Sequence, residues 1–269
     1  MRILDGLDLA SFVKERQLHQ VRGLRQAHNI IPKLAIIRTS EDSRIAAYVR
    51  LKKAYGDDIS VEVEEHFVPQ TEALDLIKRL NADDSVTGMI VQLPLADPAH
   101  TSELLNAVAP EKDVDGLGEN AILDPATPLA ILWLLAGYNV EVKGKNIVVI
   151  GQGRLVGAPL TKMLRASGCT VTTVTRETDD LVAAVRSGDI IISAAGSPGL
   201  LTSAMIQPGA VVVDAGVATD KGKLVGDIAP DVRDRHDLII TPEKGGVGPL
   251  TVTALFDNVI RAATAKTKS

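Results

Sequence analysis

Three short segments of this chain carry side chains whose types and spacing could do chemistry. Tyr48 and Lys52 are four residues apart, the separation that brings two side chains over one patch of a helix surface. A phenol and an amine would converge there, although the same pair also suits a solvated face beside Arg50 and Lys53. Lys112-Asp113-Val114-Asp115-Gly116 offers two carboxylates, in a pattern that is equally ordinary turn chemistry. A calcium loop is disfavoured, because its series of oxygen ligands does not continue past Gly116. Lys244-Gly245-Gly246-Val247-Gly248-Pro249-Leu250-Thr251 follows the apolar run Leu238-Ile239-Ile240. Glycines there would admit a ligand close to the backbone. Pro249 suits the first turn of a helix, whose free amides favour an anion or a polar ring. The segment also reads as no more than a tight strand-to-helix turn.

A fourth segment points to a nucleotide. Gly151-Gln152-Gly153-Arg154-Leu155-Val156-Gly157 follows a strand predicted over 145–150 and opens a helix predicted to end at 167. Glycines let such a turn close tightly and bring the helix's first amides against a pyrophosphate. The spacing G-x-G-x-x-x-G is one residue longer than the commonest dinucleotide fingerprint, but strand, turn and helix occur in the required order. The next strand, over 170–175, ends in Val174-Thr175-Arg176-Glu177-Thr178. That position normally selects the cofactor. Arg176 favours NADP, while Glu177 keeps NAD open. The expected cofactor contacts are Gly151, Gln152, Gly153, Arg154, Val156, Gly157 and Arg176, with Ala195, Gly196 and Val217 beyond later strands.

The elements that must position these residues alternate along the chain. Apolar spacing predicts helices over 7–28, 43–55, 71–81, 128–137 and 249–265, and strands over 33–39, 61–67, 88–92, 145–150, 170–175, 189–194, 210–214 and 238–240. Helices alternating with strands give parallel sheets with right-handed crossovers. Ligands bind such sheets beyond the carboxyl ends of the strands. Thr39, Phe67 and Gln92 fall there, and Gln92 becomes a site candidate.

Composition sets outer limits. The 269 residues suffice for two domains. Only three Phe, three Tyr and one Trp are present, so Val, Ile, Leu and Ala must build the core, as in buried parallel strands. A net charge of −5 without basic clusters argues against nucleic acid. Cys169 is the single cysteine, which excludes an internal disulfide and fits a reducing compartment. The five histidines show no metal-ligand spacing, and no metal is expected. No apolar run approaches the roughly 20 residues of a membrane span, and Met1-Arg2-Ile3-Leu4-Asp5-Gly6 is not an apolar signal segment. Cytoplasm is the expected location.

Tyr48-Val49-Arg50-Leu51-Lys52, Val91-Gln92-Leu93-Pro94-Leu95, Lys112-Asp113-Val114-Asp115-Gly116 and Gly245-Gly246-Val247-Gly248-Pro249-Leu250-Thr251 together resemble the bifunctional methylenetetrahydrofolate dehydrogenase/cyclohydrolase family, in order and spacing along nearly the whole chain. The resemblance implies two α/β domains flanking a folate cleft, the second a Rossmann-like doubly wound parallel sheet. Residues 1–118 with 250–269 would form the catalytic, folate-binding domain, and 119–249 the NAD(P)-binding domain. It implies oxidation of 5,10-methylenetetrahydrofolate by hydride transfer to NADP, then hydration to 10-formyltetrahydrofolate, in one-carbon metabolism and purine biosynthesis. Lys52 would be the central group of the cyclohydrolase step, Gln92 its hydrogen-bond partner, Tyr48 a neighbour of the pterin and Asp115 the carboxylate holding it. Val91, Leu93, Gly246, Gly248, Pro249 and Thr251 would complete the substrate contacts, and the assembly would be a homodimer. The chain departs from the family pattern at Ile45, where a serine is usual, at Gln152 in place of an arginine, at Thr175-Arg176, at 126–128, which lack a cysteine, and at Glu243-Lys244. These departures keep three alternatives open: a dehydrogenase with weak cyclohydrolase activity, a dehydrogenase for another small molecule, and a nucleotide-binding regulatory protein.

Overall fold

Every strand that the sequence predicted forms, and each is short. The computed structural model describes residues 1–220 and 223–268. They divide into two compact units, Met1–Ala10 with Thr127–Thr251 (unit 1) and Ser11–Ala126 with Val252–Ser269 (unit 2). The sequence places the divisions at 118/119 and 249/250; the compact units place them at 126/127 and 251/252, and group residues 1–10 with unit 1.

Unit 2 holds a three-stranded parallel sheet in the order β3-β2-β4, from β2 (Lys33–Arg38), β3 (Glu62–Phe67) and β4 (Gly88–Val91). Four residues of β2 and all four of β4 are buried, as expected of parallel strands covered on both faces. The edge strand β3 is mostly polar and only partly covered. Helices α2 (Ser43–Ile59), α3 (Gln70–Ala82) and α4 (Thr101–Ala107) connect the strands or follow them. Ala73, Leu76 and Ile77 of α3 and Leu104 and Leu105 of α4 pack with Ile37, Met89 and Val91. Replacing one of these leucines, isoleucines or Met89 by alanine costs about 2–5 kcal/mol. Helix α2 runs four residues past the predicted end, to Ile59, and stops at Ser60 with φ 63. Gly56 looks like a stop in sequence, but a Cβ there would meet Val61 O at 2.9 Å. Glycine is needed for close packing inside the helix.

Unit 1 is a six-stranded sheet in the order β1-β11-β8-β7-β5-β6, with β1 (Arg2–Ile3), β5 (Asn146–Ile150), β6 (Thr170–Val174), β7 (Ile190–Ser193), β8 (Val211–Asp214) and β11 (Ile239–Ile240). All its pairings are parallel. This is the Rossmann-like doubly wound sheet. Helices α6 (Gly157–Ala166), α7 (Leu181–Arg186) and α8 (Pro230–Arg233) connect its strands, and Val148, Ile191, Val212, Val185 and Val232 share one core. An antiparallel pair, β9 (Ala218–Asp220) with β10 (Lys223–Val225), stands apart from the main sheet. Helices α1 (Gly6–His28), α5 (Ala126–Gly137) and α9 (Val247–Ala265) complete the chain. Among the described residues, no helix is long and apolar enough to cross a membrane.

Candidate active site

In unit 2 the candidate catalytic side chains come from α2, the end of β4 and the turn at 112–118. Lys52 Nζ donates to Gln92 Oε1 over 2.6 Å, and Gln92 Nε2 donates to Leu93 O over 3.0 Å. The buried residues of α2 are Ile45, Val49, Gly56 and Ile59. Lys52 falls in the same helical row, three residues after Val49 and four before Gly56. A lysine in an apolar row loses hydration. Burial therefore pulls the Lys52 pKa below the ordinary lysine value, against the charge of Asp115, which raises it. Asp115 mirrors this: burial raises its pKa and the Lys52 charge lowers it. Tyr48, one turn earlier, is 41% exposed, so its ring is open to a ligand.

The turn bearing Asp115 is held from four sides. Lys112 Nζ donates to Leu80 O, Asn81 O and Asp83 O at 2.9, 2.8 and 2.7 Å, closing the carboxyl end of α3. Lys112 O accepts from Met89 N at 2.7 Å, which ties the turn to β4. The buried Asp113 carboxylate accepts from Gly116 N at 2.9 Å and Gly118 N at 2.8 Å. Asn258 of α9, fully buried, donates through Nδ2 to Val114 O at 2.9 Å and Asp124 O at 2.8 Å. Two carboxylates that look equivalent in sequence thus have separate work. Asp113 shapes the turn, and the charge of Asp115 acts on Lys52. Asn258 is not among the residues the sequence singles out, though a polar residue inside the apolar spacing of 249–265 is a signal of this kind.

In unit 1 the residues expected at the cofactor gather at the carboxyl ends of β5, β6, β7 and β8. Gly151 follows β5 with φ +85, a conformation costly for other residues. Gly157 opens α6, and a Cβ on it would collide with Gly151 O. No side chain caps α6 at Val156; Ala158 N donates to Gly153 O at 3.2 Å, and Pro159 has no N–H to offer. Gln152 turns back on its own loop, donating to Gly151 O at 3.0 Å and Thr161 Oγ1 at 3.2 Å. Gly153 and Arg154 are exposed. Arg176 and Glu177 are exposed in a tight turn, where Thr175 N donates to Thr178 Oγ1 at 3.0 Å and Glu177 N to Thr175 Oγ1 at 3.2 Å. Ala195 and Gly196 follow β7, and Val217, 61% exposed, follows β8.

The glycine-rich segment at 244–251 also belongs to unit 1. Gly245, at φ +86, accepts from Gly6 N at 2.8 Å and Leu7 N at 3.0 Å, the first amides of α1. Helix α9 begins at Val247, two residues before the predicted start, which puts Pro249 inside its first turn. Gly246 is buried and Gly248 exposed. Thr251 Oγ1 donates to Val247 O at 3.3 Å and Thr127 Oγ1 at 3.4 Å.

Two family models match consecutive stretches of this chain: the tetrahydrofolate dehydrogenase/cyclohydrolase catalytic domain over residues 4–115, and the NAD(P)-binding domain of the same family over 125–267. The chain belongs to the tetrahydrofolate dehydrogenase/cyclohydrolase family. The bifunctional protein FolD of Exiguobacterium sibiricum is 39% identical over 275 residues, covering 97% of this chain and 99% of its own. The bifunctional FolD methylenetetrahydrofolate dehydrogenase/cyclohydrolase of Campylobacter jejuni superposes with a TM-score of 0.93 at 35% identity, over 99% of each chain. The Trypanosoma brucei FolD, solved with NADP and an inhibitor, gives 0.92 at 31% identity, over 99% of this chain and 98% of its own. Against that family background Ile45 has a physical reading. It is 4% exposed in the apolar row of α2, so it packs and offers Lys52 no polar contact.

Proposed function

We propose that this chain oxidises 5,10-methylenetetrahydrofolate to 5,10-methenyltetrahydrofolate with NADP and hydrolyses the product to 10-formyltetrahydrofolate. The observation that carries the reading is the Lys52–Gln92 hydrogen bond of 2.6 Å with the Asp115 charge acting on the same amine, in a chain matching both domains of the family. Unit 2 is the catalytic, folate-binding part and unit 1 the nucleotide-binding part. Tyr48, Lys52, Gln92 and Asp115 are the catalytic group. Val91, Leu93, Gly246, Gly248, Pro249 and Thr251 are further substrate contacts.

NADP, when bound, accepts the hydride. Gly151, Gln152, Gly153, Arg154, Val156, Gly157, Ala195, Gly196 and Val217 hold it, and Arg176 pairs with its ribose phosphate, so that NADP is preferred and NAD is used less well. In the second step water adds to the methenyl carbon while Lys52 accepts its proton, and the adduct then opens by breaking the bond from that carbon to N5, which takes up a proton and leaves the formyl group on N10. A lysine can accept a proton only as the neutral amine, and desolvation favours that form. Gln92 Oε1 engages one N–H and so orients the lone pair. Asp115 holds the pterin ring and Tyr48 lies against it. The protein is read as a cytoplasmic homodimer serving purine biosynthesis.

The test mixes purified protein with 5,10-methylenetetrahydrofolate and NADP or NAD, following reduced nicotinamide and methenyl product by absorbance. Reduced nicotinamide should form without methenyl build-up, faster with NADP, and Arg176→Ala should remove the NADP advantage. Accumulating methenyl product would overturn the cyclohydrolase half. It is the result expected if Ile45 leaves Lys52 too poorly oriented. No reduction with either nucleotide would overturn the whole reading.

A further inference from the structure

The loops after β7 and β8 both hang on buried carboxylates that the proposed chemistry does not use. Asp227 is fully buried. Its Oδ2 accepts from Ser193 Oγ at 2.6 Å and Ala195 N at 2.8 Å, and its Oδ1 from Ser197 N at 2.7 Å. Asp214, which ends β8, accepts from Gly216 N at 3.1 Å and Asp227 N at 3.0 Å through Oδ1, and from Ile228 N at 3.3 Å through Oδ2. Arg233 lies 3.7 Å from Asp214 Oδ2. Burying a carboxylate is costly, and an apolar side chain of similar size often fills such a space at lower cost. What Asp227 adds is direction, because three donors from residues 193–197 converge on one rigid group.

That loop lies where its position matters. A Cβ on Gly151 would meet Ala194 O at 2.5 Å and Ala195 Cα at 2.9 Å, so the glycine turn after β5 rests directly on it. The strand order β8-β7-β5-β6 sends the chain to opposite sides of β5, and ligands of such sheets bind at that switch. We infer that Asp227 is a positioning residue for the nicotinamide cofactor: it sets residues 195–197 against the Gly151 turn and, through Asp214, ties them to residues 216–217. Fully buried, Asp227 acts through these loops and does not touch the ligand. The inference rests on the cofactor reading above.

Asp227→Asn keeps the size of the side chain but turns one acceptor into a donor facing an N–H or O–H. NADP affinity is measured by isothermal titration, together with the KM for NADP and the hydrolysis of added 5,10-methenyltetrahydrofolate without nucleotide. The expected result is a rise of about tenfold in Kd and KM for NADP, the scale of one charge-assisted hydrogen bond. Turnover at saturating NADP and nucleotide-free hydrolysis should remain as in wild type. Ser193→Ala, which deletes one donor and leaves the carboxylate, should raise Kd about threefold in the same direction, and decides the matter if Asp227→Asn does not fold. Wild-type NADP affinity in the variants overturns the proposal. So does hydrolysis falling in proportion to NADP binding, the mark of general damage. Wild-type protein that binds neither NADP nor NAD overturns the cofactor reading, and the proposal with it.

Discussion

In unit 2 the candidate chemistry rests on side chains drawn into a partly apolar setting, whereas in unit 1 the candidate recognition rests on backbone shaped by glycine. Lys52 gains its character from where α2 places it, in a row with Ile45, Val49, Gly56 and Ile59. The turn at 151–157 gains its character from what is missing, a Cβ at Gly151 and Gly157. The contrast teaches that the two sites fail in different ways. A side-chain site is lost by changing the reacting group while the fold remains. A backbone site is lost by adding one methyl group where two loops touch.

The sharpest test of the contrast is Lys52→Met, which keeps the apolar stem and removes the amine. Hydrolysis of 5,10-methenyltetrahydrofolate should fall about 10²–10⁴-fold, the usual worth of a positioned acid–base group, with NADP affinity by titration unchanged. Retained hydrolysis would remove Lys52 from the chemistry. Gly157→Ala should do the reverse: NADP affinity falls at least about tenfold, because the new methyl collides with Gly151 O and must push the turn away from its ligand. Nucleotide-free hydrolysis should survive, and its loss would show that the two sites are not separable.

The smallest effect is a shift of pH profile. The Asp115 charge favours protonated Lys52, so Asp115→Asn should lower the lysine pKa further. The neutral amine then persists to lower pH, and the acid limb of the hydrolysis kcat profile should move down. A limb that stays in place, or moves up, would disconnect Asp115 from the amine.

The strands were legible because runs such as Asn146–Ile150 and Ile190–Ser193 combine β-branched residues with burial on both faces, a pattern that needs no knowledge of partners. The glycine turn after β5 was legible for a related reason, since glycine marks where a backbone needs an unusual conformation or a close approach. Other features left no local trace. Strand β1 is two exposed residues, Arg2 and Ile3, recognisable only through their pairing with Ile239 and Ile240. Helix α4 has seven residues and α7 six, too few turns for a helical period to stand out. The work of Lys112 and Asn258 also depends on partners far along the chain.

The types of the longer elements and the glycine turn were thus legible in the sequence alone, because propensity, periodicity and residue chemistry are local properties, whereas Tyr48, Lys52 and Asp115 were singled out beside Gln92 by the resemblance to the family. The tertiary structure decided the rest. It chose between two neighbouring carboxylates, buried Ile45, folded Gln152 inward, and set Asp227 and Asp214 beneath the loops of unit 1. Those outcomes depend on burial and, at Asp227, on donors 30 to 34 residues away along the chain, and a buried polar group takes its meaning from whatever partner the fold brings to it.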